Sequence, residues 1–305
     1  MRKLYYLILF VCLLFVCGCI QDVHTKPIVV ATIFPQYDMA RSIGGDKIEL
    51  HMAVSPGVDA HHFDPSVNDI ILIKKADLFI YTFEEMESWA VGLKNEEAGK
   101  VILDLSTLDG ITLEEAHENH EEEHLHGHHH DFDPHIWTSL KHLKIMAQGI
   151  CDALILIDPD NQAYYQANCD IYVEELLQLE LAYQELNTRA QNTTFYFASP
   201  FAMFYLFDEF DFHYEALYDT CSMEVEPSLN DIIAMNEELK NNHIKYIYVK
   251  ELSSTSMAER VIQGTDCKIL IMHSGHNLGS NEFQSGLTLL EILKTNLNNL
   301  EKGVA

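Results

Sequence analysis

From Asn161 to Ala190 the chain runs thirty residues without a proline or a glycine. Tyr165, Cys169, Tyr172, Val173, Leu176, Tyr183 and Leu186 recur along it largely at steps of three and four, the spacing that gathers side chains on one helical face. Asp158-Pro159-Asp160 opens the run, and proline suits a helix only in its first turn. At 1.5 Å per residue such a helix is roughly 45 Å long, the height of a two-lobed protein. A single stiff rod between two lobes restricts hinge motion. A coiled-coil arm is the competing reading, but about four heptads without orderly charged flanks make a poor seam.

On either side of this rod, short runs of β-branched and aromatic residues alternate with amphipathic stretches. Ile28 to Phe34, Ile48 to Val54, Leu78 to Tyr81 and Val101 to Leu103 lie before it, separated by segments such as Tyr37 to Ile43 and Val67 to Ala76. Thr194 to Ala198, Tyr214 to Leu217, Ile244 to Val249 and Ile269 to Met272 repeat the scheme after it. Alternation of this kind predicts parallel sheets covered by helices. The expected fold class is α/β, with two lobes, each a mostly parallel β-sheet flanked by helices, joined by one long rigid α-helix. The expected boundaries are an N-terminal lobe over 28–157, a linking helix over 158–191 and a C-terminal lobe over 192–305.

The N-terminus reads Met1-Arg2-Lys3, an apolar run from Leu4 to Phe15, then Val16-Cys17-Gly18-Cys19. Basic, apolar and small-residue regions in that order describe an export signal, and Val-Cys-Gly-Cys resembles a bacterial lipobox. Residues 1–18 are expected to be a lipoprotein signal peptide, Cys19 the lipidated residue and 19–27 a tether. A membrane-spanning anchor is the alternative, but Leu4 to Ile20 is slightly under the roughly 20 residues that a bilayer needs. The protein is therefore expected outside the cytoplasm, anchored to the cell membrane by lipid rather than by charge. Cys151, Cys169, Cys221 and Cys267 remain, with no CxxC among them. Four cysteines allow three disulfide connectivities, and buried thiols are an equally good reading.

Nineteen Lys and Arg stand against 47 Asp and Glu, a formal charge of −28. Nucleic acid is excluded as a partner, because phosphate binding needs clustered cations. Against that background 17 histidines are a surplus. Residues 114–133, Glu-Glu-Ala-His-Glu-Asn-His-Glu-Glu-Glu-His-Leu-His-Gly-His-His-His-Asp-Phe-Asp, cannot make a core and read as a solvated insertion in the first lobe. Imidazoles and carboxylates in such a tract capture divalent ions in many geometries.

A specific metal site needs ligands held on rigid elements, and open α/β sheets bind ligands beyond the carboxyl ends of their strands. Three histidines fall there. His61 follows the second strand in Ser55-Pro56-Gly57-Val58-Asp59-Ala60-His61-His62-Phe63-Asp64-Pro65; His135 lies in Asp133-Pro134-His135-Ile136-Trp137; His273 ends a late strand and opens His273-Ser274-Gly275-His276-Asn277. Three imidazoles form a zinc-binding shell.

Phe34-Pro35-Gln36-Tyr37-Asp38, Pro56 to Ser66, Lys74-Lys75-Ala76-Asp77-Leu78, the His-rich loop, Asp133-Pro134-His135-Ile136-Trp137 and Glu226-Pro227-Ser228, in that order, resemble the zinc/manganese solute-binding lipoproteins of ABC importers. The resemblance spans essentially the whole chain after the signal. It implies two α/β lobes joined by one long helix with the metal between them. By position it implies His61 and His135 as the first two ligands, with His62 at the variable neighbouring place. The family's third ligand, a His or a Glu, falls on Pro200, which has no donor side chain. The fourth, usually an Asp, becomes His273. Glu224, Glu251, His276 or water could complete the shell.

The expected function is therefore an extracytoplasmic solute-binding protein that captures Zn2+ between two lobes and delivers it to the permease and ATPase of a metal importer, working as a monomer without bond chemistry. A His-rich shell suits zinc better than Mn2+, which prefers oxygen, although copper and nickel also accept imidazole. A surface metal buffer or adhesin is a second reading. A zinc hydrolase is a third, weakened by the lack of HExxH and of a general base beside a ligand.

Overall fold

In a computed structural model, the described residues are 26–58, 60, 63–84, 86–92, 100–114, 132–218 and 226–304. The lipidation residue Cys19, the candidates His61 and Glu224, Cys221 and most of the His-rich tract lie outside them.

Two four-stranded sheets, both wholly parallel, carry the two lobes. Strands β1 (Ile28–Ala31), β2 (Glu49–Met52), β3 (Leu78–Tyr81) and β4 (Val101–Asp104) are ordered β2-β1-β3-β4. Strands β5 (Thr194–Pro200), β6 (His213–Tyr218), β7 (Tyr246–Lys250) and β8 (Lys268–Met272) are ordered β6-β5-β7-β8, the same topology repeated. The central strands Ile-Val-Val-Ala and Leu-Phe-Ile-Tyr are apolar without interruption because both sheet faces are covered. The first apolar run stops being strand at Ala31, three residues earlier than its composition suggests. Pro35 suits a helical first turn, and the Gln36 side-chain oxygen accepts the Ile33 N–H at 3.2 Å, so helix α1 (Phe34–Gly44) begins there.

In the first lobe α2 (Val67–Lys75) and the short α3 (Ser88–Val91) complete the alternation, and α4 (Leu140–Ile157) closes it. Helix α5 (Gln162–Ala190) is the linking rod, 29 residues long. The second lobe adds α6 (Phe204–Glu209), α7 (Leu229–Asn241), α8 (Ser256–Val261), α9 (Ser280–Ser285) and α10 (Leu289–Val304). Tyr165, Cys169, Tyr172, Leu176, Tyr183 and Leu186 of the predicted face of α5 are buried, together with Leu179 and Ala190, and Val173 is partly covered.

That buried face fuses the lobes. One apolar cluster runs from Val29 and Leu78 through α1, α4 and α5 to Phe195, Tyr248 and Leu300. Smaller clusters cover the outer faces, around Ile73 and Phe79 in the first lobe and around Leu239 and Ile247 in the second. Polar contacts also tie the lobes: Tyr183 Oη donates to Leu293 O at 2.9 Å, and the Asp38 carboxylate accepts the Leu289 N–H at 2.8 Å, capping α10 from the other lobe. Burial raises the pKa of Asp38, although this amide and the adjacent Arg41 oppose the rise. Arg41 reaches the carbonyls of Gly286 and Leu287. Two lobes joined by packing as well as by a rod resist opening. Cys151, Cys169 and Cys267 are buried free thiols.

Candidate metal centre between the lobes

Chain topology brings the carboxyl-end loops of both sheets to one place. After β4, Asp133 shapes the segment that carries His135: its Oδ1 accepts the His135 backbone N–H at 2.8 Å and meets the ring Nδ1 at the same distance. An ionised carboxylate only accepts, so Nδ1 carries the proton and Nε2 is left with its lone pair, the form in which a histidine binds metal. His135 is fully buried. Thr138 Oγ1 donates to His135 O at 2.9 Å, fixing the turn that leads to Trp137.

After β8, the turn His273-Ser274-Gly275-His276-Asn277 is held from below by two residues of its own lobe. Asn296 on α10 accepts the His273 N–H at 2.9 Å and donates to His273 O at 2.7 Å. Glu251, just past β7, accepts the Ser274 N–H at 2.8 Å on one carboxylate oxygen and the Ser274 hydroxyl on the other. Both its oxygens are thus engaged in shaping the turn. Gly275 has φ +73°, a conformation that glycine adopts without strain, and a side chain there would strike Leu289.

That left-handed residue decides which imidazole faces the other lobe. The His276 ring stands edge to face with His135, centroids 5.7 Å apart, and both rings pack on Trp137 at 5.5 and 5.2 Å. Trp137 Nε1 donates across the lobes to Ser274 O at 2.9 Å, locking the two loops together. His273 points differently. Its Nδ1 accepts the Gly275 N–H at 2.9 Å, with a Glu251 oxygen 3.9 Å away, and its buried Nε2 has no hydrogen-bond partner among the described residues. Among the described residues no three His, Cys, Asp or Glu side chains gather into a metal-binding group. The structure therefore brings His135 and His276 together, leaves His273 on the flank of the same turn, and does not describe His61.

The loop that leads to His61 is nevertheless anchored here. Ser55-Pro56-Gly57-Val58 forms a turn, with Val58 N–H donating to Ser55 O at 3.1 Å and Gly57 at φ +85°, the glycine position of a type II turn. Asn277 of the second lobe clasps it: its amide donates to the carbonyls of Ser55 and Val58, and its oxygen accepts the Gly57 N–H at 3.4 Å. A second clasp lies at the root of the His-rich insertion. Glu114 O accepts the Asp133 N–H at 2.9 Å, and Tyr205 on α6 donates to Asp133 O at 2.7 Å while accepting the Glu114 N–H at 3.1 Å.

His142, behind the His135 turn, completes the support. Its Nδ1 lies 3.2 Å from Ile136 O and its Nε2 accepts the Thr112 N–H at 3.3 Å, an assignment for a neutral ring, and burial lowers its pKa. Pro200 closes β5 and is buried. Asn277 and Trp137 sit within or beside motifs that sequence reading singled out, whereas Tyr205 and Asn296 carry no local signal. Their partners are more than twenty residues away.

The chain matches the profile of the family described as "Zinc-uptake complex component A periplasmic" over residues 29–303. It is 28% identical over 311 aligned positions to the "Zinc-binding lipoprotein AdcA" of Streptococcus pneumoniae, which covers 99% of this chain and 61% of that protein. The chain thus spans about three fifths of that relative's length. It is also 28% identical over 276 positions to the "High-affinity zinc uptake system protein ZnuA" of Bacillus subtilis, covering 90% of this chain and 86% of the relative. The crystal structure of the metal-dependent lipoprotein YcdH of Bacillus subtilis superposes with a TM-score of 0.76 at 27% identity, over 91% of this chain and 99% of the other.

Proposed function

Because the chain belongs to the family of periplasmic component A proteins of zinc-uptake complexes, we propose that it is the extracytoplasmic zinc-binding component of an ABC importer. It is lipid-anchored at Cys19, works as a monomer, performs no bond chemistry, and hands Zn2+ to a permease driven by an ATPase. No helix among the described residues is long and apolar enough to cross a membrane.

The observation that carries this reading is the meeting of His135 and His276 from opposite lobes, their ring centroids 5.7 Å apart. In the proposed site His135 offers Nε2 with its tautomer set by Asp133, His276 faces it, and His61, which follows the clasped 55–58 turn in the sequence, is the third ligand. His273 is the fourth candidate. Its Nδ1 accepts the Gly275 N–H, which places the neutral ring's proton on Nε2, so it joins the metal through Nε2 only when that bond breaks and the proton moves to Nδ1. Imidazole ligands favour zinc over manganese.

Calorimetry of the mature protein at neutral pH is expected to show one tight zinc site. Removing an outer hydrogen-bond partner, as in Asp133→Ala, should lower affinity by roughly 10- to 100-fold, and losing a ligand, as in His135→Ala or His276→Ala, by more than that. Absence of tight zinc binding by the wild type would sink the proposal. Unchanged affinity in His276→Ala with a large loss in His273→Ala would move the second-lobe ligand to His273.

A further inference from the structure

Helix α4 and the linking rod α5 form a hairpin whose turn is locked. The Asp158 carboxylate accepts from the Asn161 amide at 2.7 Å and from the Tyr165 hydroxyl at 2.6 Å, and Pro159 opens the short link into α5. With the turn fixed, positions equally far from it on the two helices come face to face. Cys151 and Cys169 are such positions, each standing about two helical turns from the connection.

Their contact is close. Cys169 Sγ lies 3.7 Å from Ala147 O and 3.9 Å from Gln148 Oε1. In an α-helix the carbonyl of residue 147 is the one that receives the N–H of residue 151. Cys169 therefore reaches the backbone of the turn that carries Cys151, and the two thiols are hydrogen-bonded to each other. Both residues are fully buried. Close approach of two helices asks for small side chains, which Ala147 supplies, and alanine at 151 and 169 would serve as well. A single buried cysteine is an ordinary small apolar residue. Two in mutual contact, out of the four cysteines that follow the N-terminal export signal, satisfy the first requirement of a covalent link, side chains that face one another at short range.

We infer that Cys151 and Cys169 close to a disulfide as the protein folds outside the cytoplasm, stapling α4 to the linking rod. The inference rests on the extracytoplasmic location proposed above, because such bonds form and persist in oxidising compartments. The oxidant is a disulfide donor. One cysteine thiolate attacks a donor sulfur, forming a mixed disulfide and expelling one donor thiolate; the second cysteine thiolate then attacks the sulfur of the first and expels the other. Two electrons pass from the cysteine pair to the donor, and the two protons that the cysteines lose end on the two donor thiols. Because both sulfurs are buried in the folded chain, this exchange precedes the closing of α4 on the rod.

The staple bears on the metal loop. His142, in the first turn of α4, meets Ile136 O at 3.2 Å, directly behind the turn that presents His135. A bond that fixes α4 to the rod fixes the platform on which that turn rests.

The test uses the full chain exported by a bacterial host, and a second sample refolded with oxidised glutathione. Both are alkylated in denaturant, cleaved at Tyr164 or Tyr165 between the two cysteines, and mapped by mass spectrometry without reductant. A peptide pair joined through Cys151 and Cys169 is expected in both samples. Melting temperature is the second readout, in a Cys221→Ala, Cys267→Ala background where no other pair in the lipidated chain can form. Reduction is expected to lower it by roughly 5–10 °C, and adding Cys151→Ala and Cys169→Ala should abolish that sensitivity. Alkylated Cys151 and Cys169 in the exported protein, linkage of either to Cys221 or Cys267, or a melting temperature indifferent to reductant overturns the inference. Fractionation of the host reports location separately: a chain found in the cytoplasm defeats the extracytoplasmic reading, and this inference with it. Zinc affinity of the same samples by calorimetry tests the metal site independently.

Discussion

Glu87 offers a sharp test of the electrostatics at the carboxyl edge of the first sheet. Its side chain is 1% exposed, and one carboxylate oxygen accepts the N–H groups of Thr82 at 2.7 Å and Phe83 at 3.0 Å. Burial outweighs those two amides and pushes its pKa from 4.5 to about 7. Below pH 4.5 the carboxyl is protonated in both folded and unfolded chains, and ionisation costs the fold nothing. Between 4.5 and about 7 only the unfolded chain ionises, so this group's contribution to stability falls as pH rises and is fully lost above that range. The gap between the two values corresponds to about 3 kcal/mol. Glu87→Gln keeps the accepting oxygen and the shape but carries no charge. In urea titrations of zinc-free protein, the variant is expected to equal the wild type near pH 4 and to exceed it by about 2–3 kcal/mol at pH 8. A gap that does not change with pH, or a variant less stable at pH 8, would refute the assignment of a buried, neutral Glu87.

His142 works with the opposite sign. Its contribution is complete above the ordinary value of 6.5 and is lost as pH falls below it, so His142→Gln should flatten the acid side of the stability profile. Asn277→Ala removes the clasp on the 55–58 turn and should cost about 1–3 kcal/mol in denaturant titrations, with faster zinc release in stopped-flow chelation. Tyr205→Phe leaves the Asp133 carbonyl and the Glu114 amide without their shared hydroxyl. It should cost about 1–2 kcal/mol and speed hydrogen exchange at residues 132–135, read by mass spectrometry.

Periodicity alone revealed the linking helix, because a helix buried along one face must place apolar residues every three to four positions over its whole length. The strands were visible for a related reason: a parallel strand covered on both faces must be apolar throughout, as Leu78 to Tyr81 is. His135 could be read from its own neighbourhood, since Asp133, two residues earlier, is the group that orients it. The choice between His273 and His276 could not. They lie three residues apart in one turn, and which ring meets the first lobe depends on the left-handed Gly275, the clamp of Glu251 on Ser274 and the Trp137 bond across the lobes.

What the sequence determined by itself was the set of elements, their order and the edge of each sheet at which ligands collect, because these follow from local periodicity and from chain direction. What only the tertiary structure decided was which side chains face one another across the lobes. That outcome depends on contacts between residues far apart in the chain, such as Asn277 with Ser55 and Tyr205 with Asp133, and no local pattern encodes the geometry at which the two sheets come to rest.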